Sequence, residues 1–190
     1  MLEELVVRNR SYRAFDESRP ITARDMEELV SLACKVASGR NLQPLRYRIV
    51  TAPEERALML ANTRYAGALT IKLPPDDQKP TGFLIIFTDK EAGSSETLAM
   101  TDVGIAAQTI MLGATERGFG GCILASFDPA RLRADFAIPD RYVPRLVLAL
   151  GTPAEEVRLV EAKDAKHLSY YRDENNIHYV PKLTAKDVLL

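Results

Sequence analysis

The sequence predicts a layered domain of helices and strands, of the α/β or α+β class. Short apolar runs that suit buried strands, such as Phe83 to Phe87 and Leu146 to Leu150, alternate with segments of helical periodicity. One helical segment, beginning at Ser94-Ser95, carries the longest apolar pattern of the chain. Helices and strands that each have an apolar face must bury it against another layer, which predicts layers around one core.

The composition predicts a soluble protein with a substantial core. Of the 190 residues 46% are hydrophobic, which is enough for one domain to bury a real core. The 25 basic and 26 acidic residues nearly cancel, which argues against a nucleic-acid partner. We expect no membrane partner and no secretory signal, because the longest apolar runs fall far short of about 20 residues. With only two cysteines, a reducing, cytoplasmic location is expected.

The N-terminal half is expected to contain three helices and one strand. Helical apolar spacing and capping patterns at Thr22 and Thr51 predict the helices, and period-2 alternation predicts the strand. In chain order these are a helix over 2–9, a helix over 22–37, a strand over 45–49 and a helix over 53–61. Several prolines between Asn62 and Thr81 predict an irregular loop there.

The second half is expected to alternate strands and helices. The apolar runs, a capping Ser95 and an Asp128-Pro129 cap predict strands over 83–87, 122–125 and 146–150, and helices from Ser95 and over 129–136. Gly104 and Gly113 in the long helix would let another helix approach closely. This helix is therefore either the core of a dimer or the central helix of a monomer. Residues 154–190 show no long periodic segment and are interpreted as an extended arm.

Several familiar kinds of site are not indicated. The chain has neither a Gly-x4-Gly-Lys-Ser/Thr loop nor a Gly-x-Gly-x-x-Gly fingerprint. His167 and His178 lack metal-ligand spacing, so they are predicted to be surface or packing residues. Cys34 and Cys122 stand in apolar surroundings and are predicted to be buried.

Three polar loops remain as candidates for a binding site. Guanidinium groups suit a phosphate, and amide side chains, which both donate and accept, suit the edge of a heteroaromatic ring. Alternatively, the arginines are merely solvated and the amides only cap turns. The candidate residues are Arg10, Ser11 and Arg13 in the first loop, Ser38, Asn41 and Gln43 in the second, and Leu124, Ala125 and Ser126 in the third.

Two of these loops carry a family resemblance. The segment from Asn9 to Phe15 resembles the Arg-Ser-x-Arg-x-Phe signature of the nitroreductase family of FMN-dependent oxidoreductases. The segment from Ser38 to Pro44 is similar to that family's Ser-x-x-Asn-x-Gln-Pro segment. The order of a long helix, a Gly-rich turn, a loop before Asp128 and a strand ending in Gly-x-Pro also matches, so the resemblance covers about Leu2 to Pro153.

The resemblance implies an α+β fold and a homodimer. The fold would be a nitroreductase-like three-layer α/β/α sandwich, with a mixed, mainly antiparallel sheet, helices on both faces and a long central helix at the dimer interface. Residues 1–153 would form the FMN-binding domain. Residues 154–190 would be an extension of the same domain that wraps the partner subunit.

The resemblance also assigns roles in an FMN site at the subunit interface. Arg10 and Ser11 would hold the phosphate and ribityl chain, and Arg13 would lie near the pyrimidine edge. The partner would supply Ser38, Gly39 and Asn41, with Gln43 fixing that turn, while the backbone of Leu124, Ala125 and Ser126 would face the flavin near its reactive nitrogen. Asn9 stands where family members often have an arginine, so Arg8 or Arg158 is the candidate that completes the phosphate site.

The implied activity is hydride transfer from NADH or NADPH, through FMN, to a nitroaromatic, quinone or similar small-molecule electron acceptor. No side chain need act as acid or base, because the flavin carries the chemistry. The same motifs suit an FMN-binding protein without reductase turnover, which serves in flavin handling or as a redox-responsive module. The motifs do not separate these two functions.

Overall fold

A computed structural model describes residues 1–65 and 71–190, and in this part the chain forms six α-helices and two β-sheets. The helices are α1 (Leu2–Arg8), α2 (Ala23–Ala33), α3 (Pro53–Asn62), α4 (Glu96–Glu116), α5 (Pro129–Asp135) and α6 (Ala185–Val188). The strands are β1 (Leu45–Val50), β2 (Gly82–Asp89), β3 (Gly120–Leu124), β4 (Tyr142–Gly151), β5 (Val157–Glu161), β6 (Tyr171–Arg172) and β7 (His178–Lys182). All the predicted strands and helices are present, several of them with shifted ends.

The central sheet has the order β1-β2-β4-β3, and every neighbouring pair is antiparallel. Every residue of β2 is buried, because β2 has a strand on each side and helices above and below. Successive side chains point to opposite faces of a strand, so Leu84 and Ile86 enter one core and Phe83 and Ile85 enter the other. This confirms the prediction of a strand covered on both faces.

Helices cover both faces of this sheet. Met26 and Leu29 of α2 and Ile110 of α4 pack with Leu84 in the first core. On the opposite face, the second core contains residues of α3 and α5, among them Met59 and Leu132. The predicted α+β, three-layer α/β/α arrangement is therefore confirmed.

The long helix α4 is the central helix of the first core. A Cβ on Gly113 would lie 2.6 Å from a methyl group of Leu32, so this glycine lets α2 of the same chain approach closely. A Cβ on Gly104 would meet no described atom within 4 Å. By length and composition α4 would also suit a membrane span, but half of that stretch is buried inside the protein. It is thus a core helix with one uncovered side.

The predicted helix over 22–37 is four residues too long. It ends at Ala33, and Cys34 is its C-cap. Cys34 is exposed there, so the prediction that it is buried is wrong, whereas Cys122 is buried as predicted. The helix stops because Ser38 and the next turn are tied to α4 by hydrogen bonds to Asp102, which an uninterrupted helix could not make.

Two other local predictions need correction. Helix α3 has Ala52 as its N-cap with no side-chain cap, so the capping box predicted from Thr51 is wrong and Pro53 alone marks the start. The loop expected from Asn62 to Thr81 is irregular over 71–81, while its residues 66–70 lie outside the described part of the chain.

Residues 154–190 are not simply extended. Strand β7 pairs in parallel with β5 and antiparallel with β6, forming a second sheet of three strands. Strands of two to five residues are too short to leave a visible period in the sequence, which explains why the tail was interpreted as an arm. Whether this extension wraps a partner subunit stays a prediction.

Asp89 links one end of three central-sheet strands. Its side chain is fully buried and accepts hydrogen bonds from Nε and Nη2 of Arg141, each at 2.7 Å. Arg46 of β1 lies 3.0 Å away on the same carboxylate. These donors hold the pKa of Asp89 at about 2, below its ordinary value of 3.8.

We expect Asp89→Asn to lower the denaturation midpoint at pH 7, because it removes the charge that Arg46 and Arg141 share. Since folding lowers the pKa, this contribution is present above pH 3.8 and is lost as the pH falls towards 2. Denaturant titrations should therefore show the two proteins converging in that range. Asp76→Asn, which removes an exposed carboxylate paired with Lys72, is the control and should change little. A gap that stays constant down to pH 2 would contradict this role of Asp89.

Candidate functional site

A cavity of about 300 Å³ lies between the segment after α1 and the second sheet. Asn9, Arg10, Ser11 and Arg13 line one side of it. Helix α4 contributes Gln108 and Met111, and β3 contributes Ile123. The C-terminal residues Tyr170, His178, Val180 and Lys182 complete the lining. The structure thus brings together the three residues predicted for the first polar loop, along with C-terminal residues that were not predicted.

The segment after α1 is extended and lies against β3. The Tyr12 N–H donates to the Gly121 carbonyl oxygen at 2.9 Å, and Ser11 forms a bridge to Gly121. A Cβ on Gly120 would lie 2.6 Å from the Tyr12 ring, and one on Gly121 would collide with the Ala149 carbonyl. Gly120 is therefore needed for this close docking, and Gly121 is needed for the close pairing of β3 with β4.

Glu155 ties the same segment to the second sheet. One of its carboxylate oxygens accepts hydrogen bonds from the backbone N–H groups of Arg13 and Ala14, and the other accepts from Nη2 of Arg172. The Glu155 side chain is only 3% exposed and that of Arg172 is 10% exposed. The carboxylate thus fixes one wall of the cavity to the other.

All charged side chains that line the cavity in the described part of the chain are basic, namely Arg10, Arg13 and Lys182. Arg10 donates through Nη2 to the Val6 carbonyl oxygen at 2.6 Å. Burial lowers the pKa of Arg10, since desolvation disfavours the charged form, although Tyr12 opposes this shift. The arginines are therefore partly held by the protein and are not simply solvated.

Several buried polar atoms around this cavity have no hydrogen-bond partner among residues 1–65 and 71–190. They are Nδ2 of Asn9, Nε of Arg10, Nε of Arg13 and both ring nitrogens of His178. Buried polar atoms in folded proteins are nearly always paired, so unpaired donors on one cavity indicate a ligand. Cationic donors suit a phosphate, and neutral amide and imidazole groups suit the polar edge of a ring. The donor set therefore fits an anionic cofactor such as FMN.

The structure favours Lys182 as the third basic residue of this site. Arg158 does not line the cavity, and its Nε is 2.5 Å from a carboxylate oxygen of Glu156. Arg8 does not line it either, and it reaches the Thr115 carbonyl oxygen at 3.4 Å. Lys182 was missed from the sequence, although the period-2 spacing of His178, Val180 and Lys182 would have placed all three on one face of a strand.

The second predicted loop forms a tight turn against α4. Ser38 Oγ donates to Asp102 at 2.6 Å, and the Gly39 N–H donates to the same carboxylate at 2.9 Å. The Gln43 N–H donates to Ser38 Oγ at 3.0 Å, and its side-chain amide donates to Asn41 Oδ1 at 3.1 Å. Ser38 and Gln43 thus hold the turn in shape. Asp102, which anchors it, was not identified from the sequence.

The backbone of this turn is strained. Arg40, Asn41 and Gln43 have φ values of 53°, 56° and 50°, in the left-handed region that non-glycine residues seldom occupy. Asn41 and Gln43 are also exposed. Such clusters of strain are often found at binding sites, where a fixed loop shape is required.

One chain by itself does not bring the two loops together. The turn borders a separate cavity of about 180 Å³, which shares no lining residue with the basic cavity in the described part of the chain. Asp102 beneath the turn and Gln108 in the basic cavity lie about 9 Å apart along α4 and about 120° apart around it. Arg10 and Ser11 therefore face a different side of α4 from Ser38 and Asn41.

The third predicted loop continues β3 away from the basic cavity. Leu124 is buried in the second core, and Ala125 and Ser126 are exposed. The Ser126 carbonyl oxygen accepts a hydrogen bond from the Arg64 N–H at 2.9 Å. Ile123, which lines the basic cavity, is the nearest link between the two places.

The fold and the cavity together define a class of protein, namely an α/β/α sandwich with a basic cavity whose hydrogen-bonding groups suit a small anionic molecule. Within that class, the chain belongs to the nitroreductase family, whose model, described as "Nitroreductase family", matches residues 6–152.

Individual relatives agree with this assignment. The chain is 24% identical to YodC of Bacillus subtilis, which carries the name of an NAD(P)H nitroreductase, over 172 residues that cover 74% of this chain and 84% of YodC. A Staphylococcus epidermidis structure named as an NAD(P)H:FMN oxidoreductase has a TM-score of 0.75 at 19% identity and covers 100% of this chain and 95% of its own. A nitroreductase of Exiguobacterium sibiricum, solved in complex with FMN, has a TM-score of 0.68 at 17% identity, covering 82% and 89%. At these identities the two structures show a shared fold.

We expect Glu155→Gln to lower the free energy of unfolding by about 3 kcal/mol, because it leaves Arg172 buried without a charged partner. Denaturant unfolding measures this loss. The neighbouring substitution Glu156→Gln changes an exposed carboxylate and should stay within about 0.5 kcal/mol of the wild type. Equal effects of the two substitutions would show that the Glu155 contacts do not hold the cavity together.

Proposed function

We propose that the protein is an FMN-dependent oxidoreductase that passes hydride from NADH or NADPH, through bound FMN, to a small electron acceptor such as a nitroaromatic or a quinone. The single observation that carries the proposal is the set of buried polar atoms of Asn9, Arg10, Arg13 and His178 on one basic cavity, which have no partner among the described residues. Membership of the nitroreductase family and the FMN complex of the Exiguobacterium sibiricum protein support it.

The residues of the cavity divide by their chemistry. Arg10, Ser11 and Lys182 would hold the phosphate and ribityl chain, and Arg13 would meet the pyrimidine edge of the ring. When bound, FMN supplies the hydride chemistry, so the protein's task is to bind and orient it. Tyr170, whose ring centroid lies 5.4 Å from the Arg13 guanidinium carbon, keeps that guanidinium in place through a cation–π contact.

We propose that the active form is a homodimer in which the partner supplies Ser38, Gly39, Asn41 and Gln43. The uncovered side of α4 supports this, because Met100 and Ile105 are 41% and 37% exposed and Gly104 has open space beside it. Gln108 on the same helix also lines the basic cavity, so a second copy seated on α4 would reach the cavity directly.

The third polar loop and the C-terminal extension also have roles in this function. The backbone of Leu124, Ala125 and Ser126 would border the reactive side of the ring. Residues 1–153 would form the FMN-binding domain, and 154–190 would extend it and wrap the partner, with the exposed Leu189 and Leu190 available for that contact. The balanced charge suits a cytoplasmic enzyme that acts on small molecules and not on nucleic acids.

We expect the purified protein to bind FMN with a Kd of about 1 μM or tighter. NADH or NADPH should bleach the flavin absorbance anaerobically at a rate compatible with turnover, and a nitroaromatic or quinone should restore it. Arg10→Gln should weaken FMN binding about tenfold or more, because a charge-assisted hydrogen bond is lost. Absorbance and stopped-flow measurements test both points. FMN binding without bleaching would indicate a flavin-binding protein without reductase turnover.

We expect a mixed dimer to recover one cofactor site. If each site combines Arg10 of one subunit with Asn41 of the other, a heterodimer of Arg10→Gln and Asn41→Ala chains has one intact site and one doubly altered site. Flavin titration of differently tagged, purified heterodimers should then give tight binding at one site per dimer. The control heterodimer of Arg10→Gln and Arg13→Gln chains has no intact site and should give none. No recovery in the first heterodimer would contradict the shared site.

A further inference from the structure

His178 is the buried residue of the cavity whose position the family motifs do not explain. It lies in β7, it is 1% exposed, and it lines the cavity opposite the segment from Asn9 to Arg13. Neither ring nitrogen has a hydrogen-bond partner within the described part of the chain. A buried polar side chain usually has one, so the imidazole points to a ligand atom that fills the cavity.

The surroundings of His178 keep it neutral. Burial lowers its pKa, and the nearby cations Arg13 and Arg172 lower it further, against the opposing charge of Glu155. The Tyr170 ring packs edge-on, with its centroid 5.2 Å from that of the imidazole. A neutral imidazole carries one donor and one acceptor, which are the two functions that the polar edge of a flavin ring can satisfy.

The position of His178 along β7 separates it from Lys182. Lys182 is four residues further on and also lines the cavity, so the two side chains leave the strand on the same face, about 13 Å apart. They therefore reach different parts of a bound molecule. Arg13, which lies near His178, is the residue proposed for the pyrimidine edge.

We propose that His178 hydrogen-bonds the polar edge of the flavin ring, while Lys182 serves the phosphate at the other end of the cavity. This inference rests on the proposed function, since it assumes that FMN is the molecule bound. It assigns a ring-recognition role to the C-terminal sheet, through a residue that lies outside the segment with the family signature.

Binding of FMN and of riboflavin, which lacks the phosphate, tests the division of roles. We expect His178→Leu to weaken both ligands by a similar factor of about ten, the effect of one lost hydrogen bond to a buried group. His178→Gln, which keeps a donor and an acceptor, should recover most of this loss. Lys182→Gln should weaken FMN at least tenfold and leave riboflavin within about twofold.

The control is the other histidine of the chain. His167 is exposed and pairs with Asp164 on the surface, so His167→Leu should change neither affinity. A His178→Leu loss confined to FMN would place His178 at the phosphate and overturn the inference. Unchanged affinities for both ligands would also overturn it. Failure of the wild type to bind either flavin would instead refute the proposed function.

A measurement on the unaltered protein avoids any failure of a variant to fold. The chain has only two histidines. NMR of protein prepared with nitrogen-labelled histidine therefore gives separate ring-nitrogen resonances for His167 and His178. Saturating riboflavin should shift the ring-nitrogen resonances of His178 and leave those of His167 in place. Bound riboflavin with unshifted His178 resonances would show that the imidazole does not contact the ring.

Discussion

The buried carboxylate of Glu155 is the contact on which the shape of the cavity depends. It binds the backbone of Arg13 and Ala14, in the segment that forms one wall, and the guanidinium of Arg172 in the second sheet, whose strand β7 forms the other wall. A carboxylate out of water is costly unless its oxygens are paired, so the three donors both satisfy it and hold the walls at a fixed separation. The second sheet is therefore part of the site and not an appendage to the domain.

Close backbone contact sets the other side of the cavity. The segment from Arg10 to Arg13 can lie against β3 because Gly120 has no side chain where the Tyr12 ring packs, while Gly121 lets β4 approach β3 at the Ala149 carbonyl. This docking presents Ser11 and Arg13 to the cavity from a rigid strand edge. Asp102 plays the matching role for the turn at Ser38, where it fixes a strained loop to α4. Two polar loops of one sequence are thus held rigidly on different sides of the same helix.

Charge is distributed unevenly in spite of a net value of −1. Arg10, Arg13 and Lys182 meet in one cavity, whereas other arginines are used in structural pairs such as that of Arg141 with Asp89. Salt screens charges that lie more than about 10 Å apart, so an anion in the cavity interacts mainly with the cations around it. The nearly neutral charge of the whole protein therefore does not prevent the cavity from attracting an anion. Overall charge therefore argued against a broad nucleic-acid surface without revealing the local cluster of cations.

The sequence by itself determined a layered domain of helices and strands and the order of its elements up to about residue 153, because apolar periodicity and caps are local properties of the chain. The resemblance of its short motifs to a family added the α+β class and made Arg10, Ser11 and Arg13 candidates for the site. It could not give the end of α2, the exposure of Cys34 or the sheet in the tail, since these depend on contacts such as that of Ser38 with Asp102. His178 and Lys182 join the site only in three dimensions, because β7 brings them back to a segment about 170 residues earlier in the chain. Glu155 is likewise brought to Arg13 and Ala14 only by the folding of the chain. Tertiary structure alone decided which cations share a cavity, since that depends on the distances between side chains and not on their order along the chain.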